Sequence, residues 1–127
     1  MAAKKVLAIG FDPNLLDFSS PELAPMQLNA EKVMMGLNAD QDRLKKLGYD
    51  SDLCLVDLGE TAEKTVSNIL NAKKYDCVLI GAGVRTNPKF FLLFEKLINV
   101  VHAEAPQAKI CFNTKPADTA ESIQRWV

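Results

Sequence analysis

Residues 75–88, with the sequence YDCVLIGAGVRTNP, constrain the fold more than any other part of the chain. A continuous apolar run that ends in glycine is typical of a central strand in a parallel sheet. Asn87 followed by Pro88 is typical of a helix N-cap and a first helical residue. The stretch therefore predicts a strand, a turn of small residues and a helix start. Such a junction places backbone N–H groups and the positive end of a helix dipole beside Arg85, and it favours an anion as ligand.

Three more segments have the apolar pattern of buried strands, at residues 6–10, 52–57 and 108–113. Helical patterns alternate with the strands: one helix capped by Asn29 and ended by Gly48, one after Thr61, one begun by Pro88, and a short one capped by Asp118 or Thr119. Asp118 and Glu121 together are similar to a capping box. The alternation predicts a single α/β domain over residues 1–127, a three-layer doubly wound fold with a four-stranded parallel sheet in the order 2-1-3-4.

Residues 14–28 form the longest stretch without a helical or strand period, and they include Pro21 and Pro25. Loops of about 12 to 15 residues without secondary structure are uncommon in compact domains and often act as lids or binding segments. Two interpretations stay open for this loop. It is either a lid over a ligand or an inert surface excursion.

The helix that Pro88 begins is expected to be the longest in the chain. Its predicted apolar stripe consists of Phe90, Phe91, Phe94, Leu97, Ile98 and Val101. Leu92, Leu93 and Val100 lie outside that stripe and are more apolar than a helix with one solvated face requires. Either the loop or the C-terminal segment covers this second side, or helix 88–105 makes a homodimer contact. Trp126 is expected to pack on the sheet or on a second subunit.

In a doubly wound sheet, ligands bind at the carboxyl ends of the strands, where the winding reverses between strands 1 and 3. The candidate ligand-binding residues at this edge are Gly10, Asp12, Asp57, Gly81, Gly83, Arg85, Thr86, Asn87, Asn113 and Lys115. For Asp57, Asn113 and Thr114, the alternative is turn or cap chemistry. A cation at a helix start opposes the helix dipole, so Arg85 is expected either to bind a phosphate or carboxylate or to pair with Asp12 or Asp57.

The composition excludes several classes of partner. The chain has 15 basic and 16 acidic residues, a balance that creates no general attraction for nucleic acid or for an anionic membrane surface. The apolar run after Lys4 and Lys5 is too short for a signal peptide or a membrane span. Cys54, Cys77 and Cys111 each lie in an apolar strand pattern without a C-x-x-C pair, and they are expected to be buried free thiols. A soluble cytoplasmic protein follows as the expectation.

Motifs of catalysis and cofactor binding are missing from the sequence. Gly81-Ala82-Gly83 begins like a dinucleotide fingerprint but has Thr86 in place of the third glycine, and it follows the wrong strand. His102 is expected at the end of a helix and away from the edge. No cofactor and no metal are therefore expected. The leading hypothesis is a ligand-binding or regulatory domain without enzymatic activity, and the alternative is an enzyme that uses Asp12, Asp57 and Lys115 on an anionic substrate.

Three segments resemble the receiver domains of two-component response regulators: LKKLGY at residues 44–49, DLGE at residues 57–60 and YDCVLI at residues 75–80. Lys115-Pro116 is similar to the Lys-Pro pair that follows a later receiver strand. The resemblance implies a flavodoxin-like domain, which is a variant of the Rossmann-like arrangement.

This chain departs from the receiver pattern at the residues of phosphoryl chemistry. Receivers carry a phospho-accepting Asp at the end of the third strand, where this chain has Gly81, and an acidic pair after the first strand, where it has only Asp12. Receivers also have a fifth strand, for which the residues after Asn113 leave no room. The resemblance therefore implies a receiver-like domain that binds a ligand or a protein and does not accept a phosphoryl group.

Overall fold

A computed structural model describes residues 3–127, without the side chain of Pro116. Its described residues form one sheet of four strands: β1 (Lys5–Phe11), β2 (Asp50–Val56), β3 (Cys77–Ile80) and β4 (Lys109–Phe112). All three strand pairs are parallel, and the order is β2-β1-β3-β4. The predicted α/β class, parallel sheet and strand order are confirmed.

The helices of the described residues are α1 (Ala30–Lys46), α2 (Ala62–Ala72), α3 (Ala82–Arg85), α4 (Phe91–Glu104) and α5 (Thr119–Gln124). The segment expected as a turn of small residues is the single helical turn α3. Pro88 begins a 3-10 turn, Pro88–Phe90, that leads into α4. The expectation that this helix is the longest is wrong, since α1 has 17 residues and α4 has 14.

The two ends of α1 are set by local chemistry. The Asn29 side chain accepts a hydrogen bond from the Lys32 backbone N–H at 2.8 Å. At the other end Gly48 has a φ of 95°, a conformation that favours glycine, and its N–H donates to the Lys45 carbonyl. Both predicted limits are confirmed. Gln41 of this helix is buried and accepts a hydrogen bond from the buried Ser51 hydroxyl of β2.

Alternate strand residues point to opposite faces of the sheet, and each face has its own core. The larger core lies between the sheet and α2, α3 and α4, with Val66, Val84 and Leu97 fully buried in it. The smaller core lies between the sheet and α1 and α5, where Leu44 and Ile123 are fully buried. Because α1 follows β1 on one face and α3 follows β3 on the other, the winding reverses between these two neighbouring strands.

The face that α4 turns toward the sheet contains most of the predicted stripe, since Phe90, Leu97 and Val101 are buried in the larger core and Phe94 and Ile98 pack against it. Leu93 is 7% exposed and belongs to the core, whereas Phe91 is 56% exposed and Leu92 is 69% exposed. Leu97 is fully buried and marks the centre of the packed face. The predicted stripe is therefore confirmed except at Phe91, and Leu93 takes part in the packed face as well.

The expected capping box at the C-terminal end is wrong. The Asp118 carboxylate accepts no hydrogen bond within α5 and instead accepts one from the Thr114 backbone N–H at 3.0 Å. Trp126 is 55% exposed and is therefore not buried against the sheet, and its contact with a second subunit stays a prediction. Of the helices in residues 3–127, none combines the length and the apolar content needed to cross a membrane.

Candidate functional site

The candidate site lies at the carboxyl edge of the sheet, where β1 and β3 end side by side. The backbone N–H of Gly81 donates to the carbonyl of Ile9 at 2.9 Å, which joins the turn after β3 to the end of β1. A Cβ atom added to Gly81 would lie 3.2 Å from that carbonyl oxygen. A side chain at this position would therefore crowd the Ile9 carbonyl oxygen.

The glycines of the turn after β3 have ordinary backbone conformations, without a positive φ. Gly81 has a φ of −67°, which any residue adopts, and Gly83 lies within the helical turn α3. A Cβ atom at Gly10 or Gly83 would meet nothing within 4 Å. The backbone of this turn therefore needs no conformation that is specific to glycine, because the chain turns here by helix formation.

The two predicted carboxylates are used in local turns. Asp12 accepts a hydrogen bond from the Asn14 backbone N–H at 3.0 Å. Asp57 accepts bonds from the Gly59 and Thr61 backbone N–H groups, both at 3.0 Å, and from the Thr61 hydroxyl at 2.6 Å. These hydrogen bonds, led by that of the Thr61 hydroxyl, lower the pKa of Asp57. Asp57 thus takes part in turn chemistry, and its role in ligand binding stays a prediction.

Three other predicted site residues also have local partners. The Thr86 hydroxyl donates to the Ala82 carbonyl at 2.8 Å, and the Asn87 side chain accepts from the Lys89 backbone N–H at 3.0 Å. The Lys115 backbone N–H donates to the Asp118 carboxylate at 3.3 Å. These contacts shape the turns that surround the edge, and the contact of Lys115 is made by its backbone and not by its side chain.

Arg85 is the predicted residue whose contacts differ from turn chemistry. Its guanidinium group donates from Nη2 to the backbone carbonyl of Asn113, and its central carbon lies 5.4 Å from the centre of the Phe112 ring. Nε is buried without a hydrogen-bond partner. Within residues 3–127, no ion pair joins Arg85 to Asp12 or Asp57. The predicted alternative of a structural salt bridge is therefore wrong.

Asn113 connects Arg85 and α3 to the opposite face of the sheet. Its side-chain oxygen accepts from the Ala82 backbone N–H at 2.9 Å, and its amide nitrogen donates to the Thr119 hydroxyl at 2.9 Å. That hydroxyl donates in turn to the Asp40 carboxylate of α1 at 3.0 Å. Partial burial is the main cause that raises the pKa of Asp40. Each group in this chain of hydrogen bonds thus donates to the next, from the Ala82 N–H of α3 to the Asp40 carboxylate of α1.

Phe112, Thr119 and Asp40 contact this edge or its hydrogen-bond chain, and the sequence predicts none of them as site residues. A weak signal existed for Asp40, which lies one turn before the buried Leu44 and therefore on the same side of α1. No sequence signal identified Thr119 as a partner of Asn113. Phe112 lies in the strand predicted at residues 108–113, and the sequence does not mark it as a partner of Arg85.

A separate cleft of about 490 Å³ lies beside the edge, between the turn after β1 and the first half of α1. Its lining residues are Pro13, Asn14, Ala30, Glu31, Met34, Met35 and Asn38. None of the predicted site residues lines this cleft.

The remaining predictions concern the 14–28 loop, the three cysteines, His102 and metal ligands. Leu16, near the start of the 14–28 loop, packs against the larger core, and the Asp17 carboxylate accepts hydrogen bonds from the Ser19 backbone N–H at 3.0 Å and the Ser19 hydroxyl at 2.6 Å. Cys54, Cys77 and Cys111 are buried and free, as predicted. His102 is exposed in the last turn of α4, also as predicted. In the described part of the chain, no three His, Cys, Asp or Glu side chains are grouped as metal ligands.

No family model, curated protein or solved structure matches this chain.

Proposed function

We propose that this domain binds a small anionic ligand, with a carboxylate or phosphate group, through Arg85 at the carboxyl edge of the sheet. The observation that carries the proposal is an arginine that is held in position by neutral groups. A backbone carbonyl and an aromatic ring contact the guanidinium group, and no carboxylate of the described residues pairs with it.

The energetics of burial support a ligand of opposite charge. Transfer of a cation out of water is costly unless other charges or hydrogen bonds compensate it. At Arg85 the buried Nε has no partner, and one carbonyl supplies only partial compensation. An anion would supply the missing negative charge. The side chain is already oriented, so little conformational entropy would be lost on binding.

The contacts of Arg85 also restrict how a ligand approaches. Nη2 already donates to Asn113, and Nε is inaccessible, so Nη1 is the nitrogen without a described hydrogen bond. An anion would therefore meet the end of the guanidinium group, at Nη1 and the second N–H of Nη2. In this proposal the 14–28 loop acts as the lid, with Leu16 packed against the core.

The test is ligand-dependent stability of the native protein against three variants. The probes are inorganic phosphate, pyrophosphate, AMP and citrate. Arg85→Gln removes the charge and keeps a hydrogen-bond donor for Asn113, while Arg85→Lys keeps the charge without the planar fork. Lys46→Gln is the matched control, because Lys46 is an exposed cation in the last turn of α1.

A ligand at about one hundred times its Kd stabilises a folded protein by about 2.7 kcal/mol. We expect at least one probe to stabilise the native protein and Lys46→Gln equally, with affinity about tenfold or more lower in Arg85→Gln. Equal stabilisation of native protein and Arg85→Gln, or no stabilisation by any probe, contradicts the proposal.

We further propose that the domain is receiver-like in architecture and binds its anion without accepting a phosphoryl group. Gly81 follows β3, and the Asp12 and Asp57 carboxylates are occupied by turn N–H groups. Incubation with acetyl phosphate is expected to add no phosphoryl group, as measured by intact mass.

The hydrogen bonds that lower the pKa of Asp57 also make it a weaker base, which gives the enzymatic alternative less support.

A second candidate function is self-association through α4, supported by the exposure of Phe91 and Leu92 at neighbouring positions. Trp126 follows α5 on the other face of the sheet, so a contact that includes both would have to wrap around the β4 edge. Sedimentation of the native protein against Leu92→Glu tests this function. A native dimer that the variant converts to monomer supports it, and a native monomer contradicts it.

A further inference from the structure

Two of the three cysteines lie in contact on neighbouring strands. The Cys77 Sγ atom of β3 lies 3.3 Å from the Cys111 Sγ atom of β4. Both side chains point to the face of the sheet that α1 and α5 cover, and both residues are at most 2% exposed. Cys54 points to the opposite face, in the larger core.

The strand register shows that the two sulfurs must move closer together to form a bond. Cys77 is paired with Lys109 and Cys111 with Leu79, so the cysteines are diagonal neighbours, two positions apart in register. A disulfide bond is about 2.05 Å long, so the sulfurs must approach each other and the strands must shift slightly. β4 can make this shift more easily than an inner strand, because it is an edge strand of four residues paired only with β3.

We propose that Cys77 and Cys111 are an oxidisable dithiol pair, in which a peroxide closes a disulfide between β3 and β4. The site is distinct from the anion site, and the proposal does not depend on it. Its cover is α5, a helix of six residues whose Ala120 and Ile123 pack in the same core. Local opening of so short a helix gives a small oxidant access to the sulfurs.

The reaction is balanced with hydrogen peroxide as the oxidant. The Cys77 sulfur, after loss of its proton, attacks one peroxide oxygen, the O–O bond breaks, and hydroxide leaves and takes up a proton to form water. The Cys111 sulfur then attacks the resulting sulfenic acid, the S–O bond breaks, and a second water leaves with the thiol proton. In sum, two thiols and one peroxide give one disulfide and two waters.

The contact between the thiols favours Cys77 as the first nucleophile. The hydrogen bond from Cys111 lowers the pKa of the Cys77 thiol, whereas the same contact together with burial raises the pKa of Cys111. Cys54 has no sulfur neighbour, and burial raises its pKa to about 11. Since the thiolate is the reactive species, Cys54 is the internal control for oxidation.

The experiment treats the native, fully reduced chain with a stoichiometric amount of hydrogen peroxide. Remaining thiols are then alkylated under denaturing conditions, and the products are measured by intact mass and peptide mapping. We expect the loss of two hydrogen atoms, one alkylated cysteine at Cys54, and a cross-linked peptide pair that contains Cys77 and Cys111. Dithiothreitol is expected to restore three alkylatable thiols.

Single substitutions test which two cysteines form the disulfide. Cys54→Ala is expected to leave the disulfide unchanged, whereas Cys77→Ala and Cys111→Ala each abolish it. Peptide mapping of the native chain decides the question even if a variant fails to fold. Three alkylated thiols after peroxide treatment, a disulfide that includes Cys54, or a cross-link between two chains on a non-reducing gel overturns the proposal.

Discussion

The side-chain oxygen of Asn113 accepts a hydrogen bond from the backbone N–H of Ala82 at 2.9 Å, which joins the end of β4 to the first residue of α3. The backbone carbonyl of the same asparagine accepts from Arg85. One residue after the edge strand therefore positions both ends of the turn that carries the candidate anion-binding arginine.

Asn113→Ala is expected to lower the free energy of unfolding by about 1 to 3 kcal/mol. The residue is 6% exposed, and its removal leaves the Ala82 N–H without this acceptor and the Thr119 hydroxyl without its amide donor. Urea denaturation measures the change. Asn99→Ala is the control, since Asn99 is exposed and bonds only to its own helix at Glu95. Equal stabilities of the two variants contradict the structural role of Asn113.

Gly81→Ala and Gly83→Ala are expected to change stability in different directions. At Gly81 the added Cβ lies 3.2 Å from the Ile9 carbonyl oxygen, which cannot easily move because it accepts the Gly81 N–H. At Gly83 nothing lies within 4 Å, and alanine favours the helix. Gly81→Ala is expected to be less stable than Gly83→Ala by about 1 to 3 kcal/mol in thermal denaturation. Equal stability of the pair contradicts the close approach at Gly81.

Asp40 is expected to make the native protein less stable as the pH rises from its usual pKa near 3.8. Its pKa is raised in the folded state, chiefly by burial and also by Asp118 and Glu121, against the effects of Thr119 and Arg43. In that pH range the folded protein binds more protons than the unfolded chain, so the free energy of unfolding falls as the pH increases.

The measurement for Asp40 is the difference in unfolding free energy between the native protein and Asp40→Asn over this pH range. All other titrating groups are common to both proteins. The native protein is expected to lose stability relative to the variant until Asp40 is fully ionised, and the difference then becomes constant. A difference that does not change with pH, or that changes with the opposite sign, contradicts the raised pKa.

Leu92 and Leu93 are neighbours in sequence that differ in burial, with 69% and 7% exposure. Leu93→Ala is expected to cost about 2 to 4 kcal/mol, because it removes core contacts and leaves a cavity. Leu92→Ala is expected to stay within about 0.5 kcal/mol of the native protein. Urea denaturation of both variants as dilute monomers measures the pair. A larger loss at Leu92 would show that α4 is rotated about its axis relative to this structure.

Much of the fold was predictable because the determining signals are local. The apolar runs at residues 6–10 and 75–80 predicted two neighbouring strands, and the alternation with helices predicted the order 2-1-3-4. Asn29 and Gly48 marked the ends of α1 by the chemistry of caps. The different roles of Phe91 and Leu93 were not predictable, because apolar residues also lie beside the stripe and the sequence period does not decide which of them faces the core.

The candidate site was predictable as a location and not as a set of contacts. The topology placed Asp57 and Arg85 at the same edge of the sheet, as expected. Short-range geometry then determined which predicted residues take part in turn chemistry. A carboxylate in a turn finds N–H groups within four residues of itself, as Asp57 does with Thr61. Arg85 differs from these residues, because its buried Nε has no hydrogen-bond partner and no carboxylate of the described residues pairs with its guanidinium group.

By itself, the sequence determined the α/β class, the strand order and the caps of α1, since these depend on side-chain period, chain connectivity and neighbouring residues. Only the tertiary structure decided that Arg85 bonds to Asn113, 28 residues away, and that Cys77 meets Cys111, 34 residues away. The reason is that such contacts depend on the register of two strands and on the rotation of a side chain at the end of a strand. Neither quantity leaves a periodic mark in the sequence.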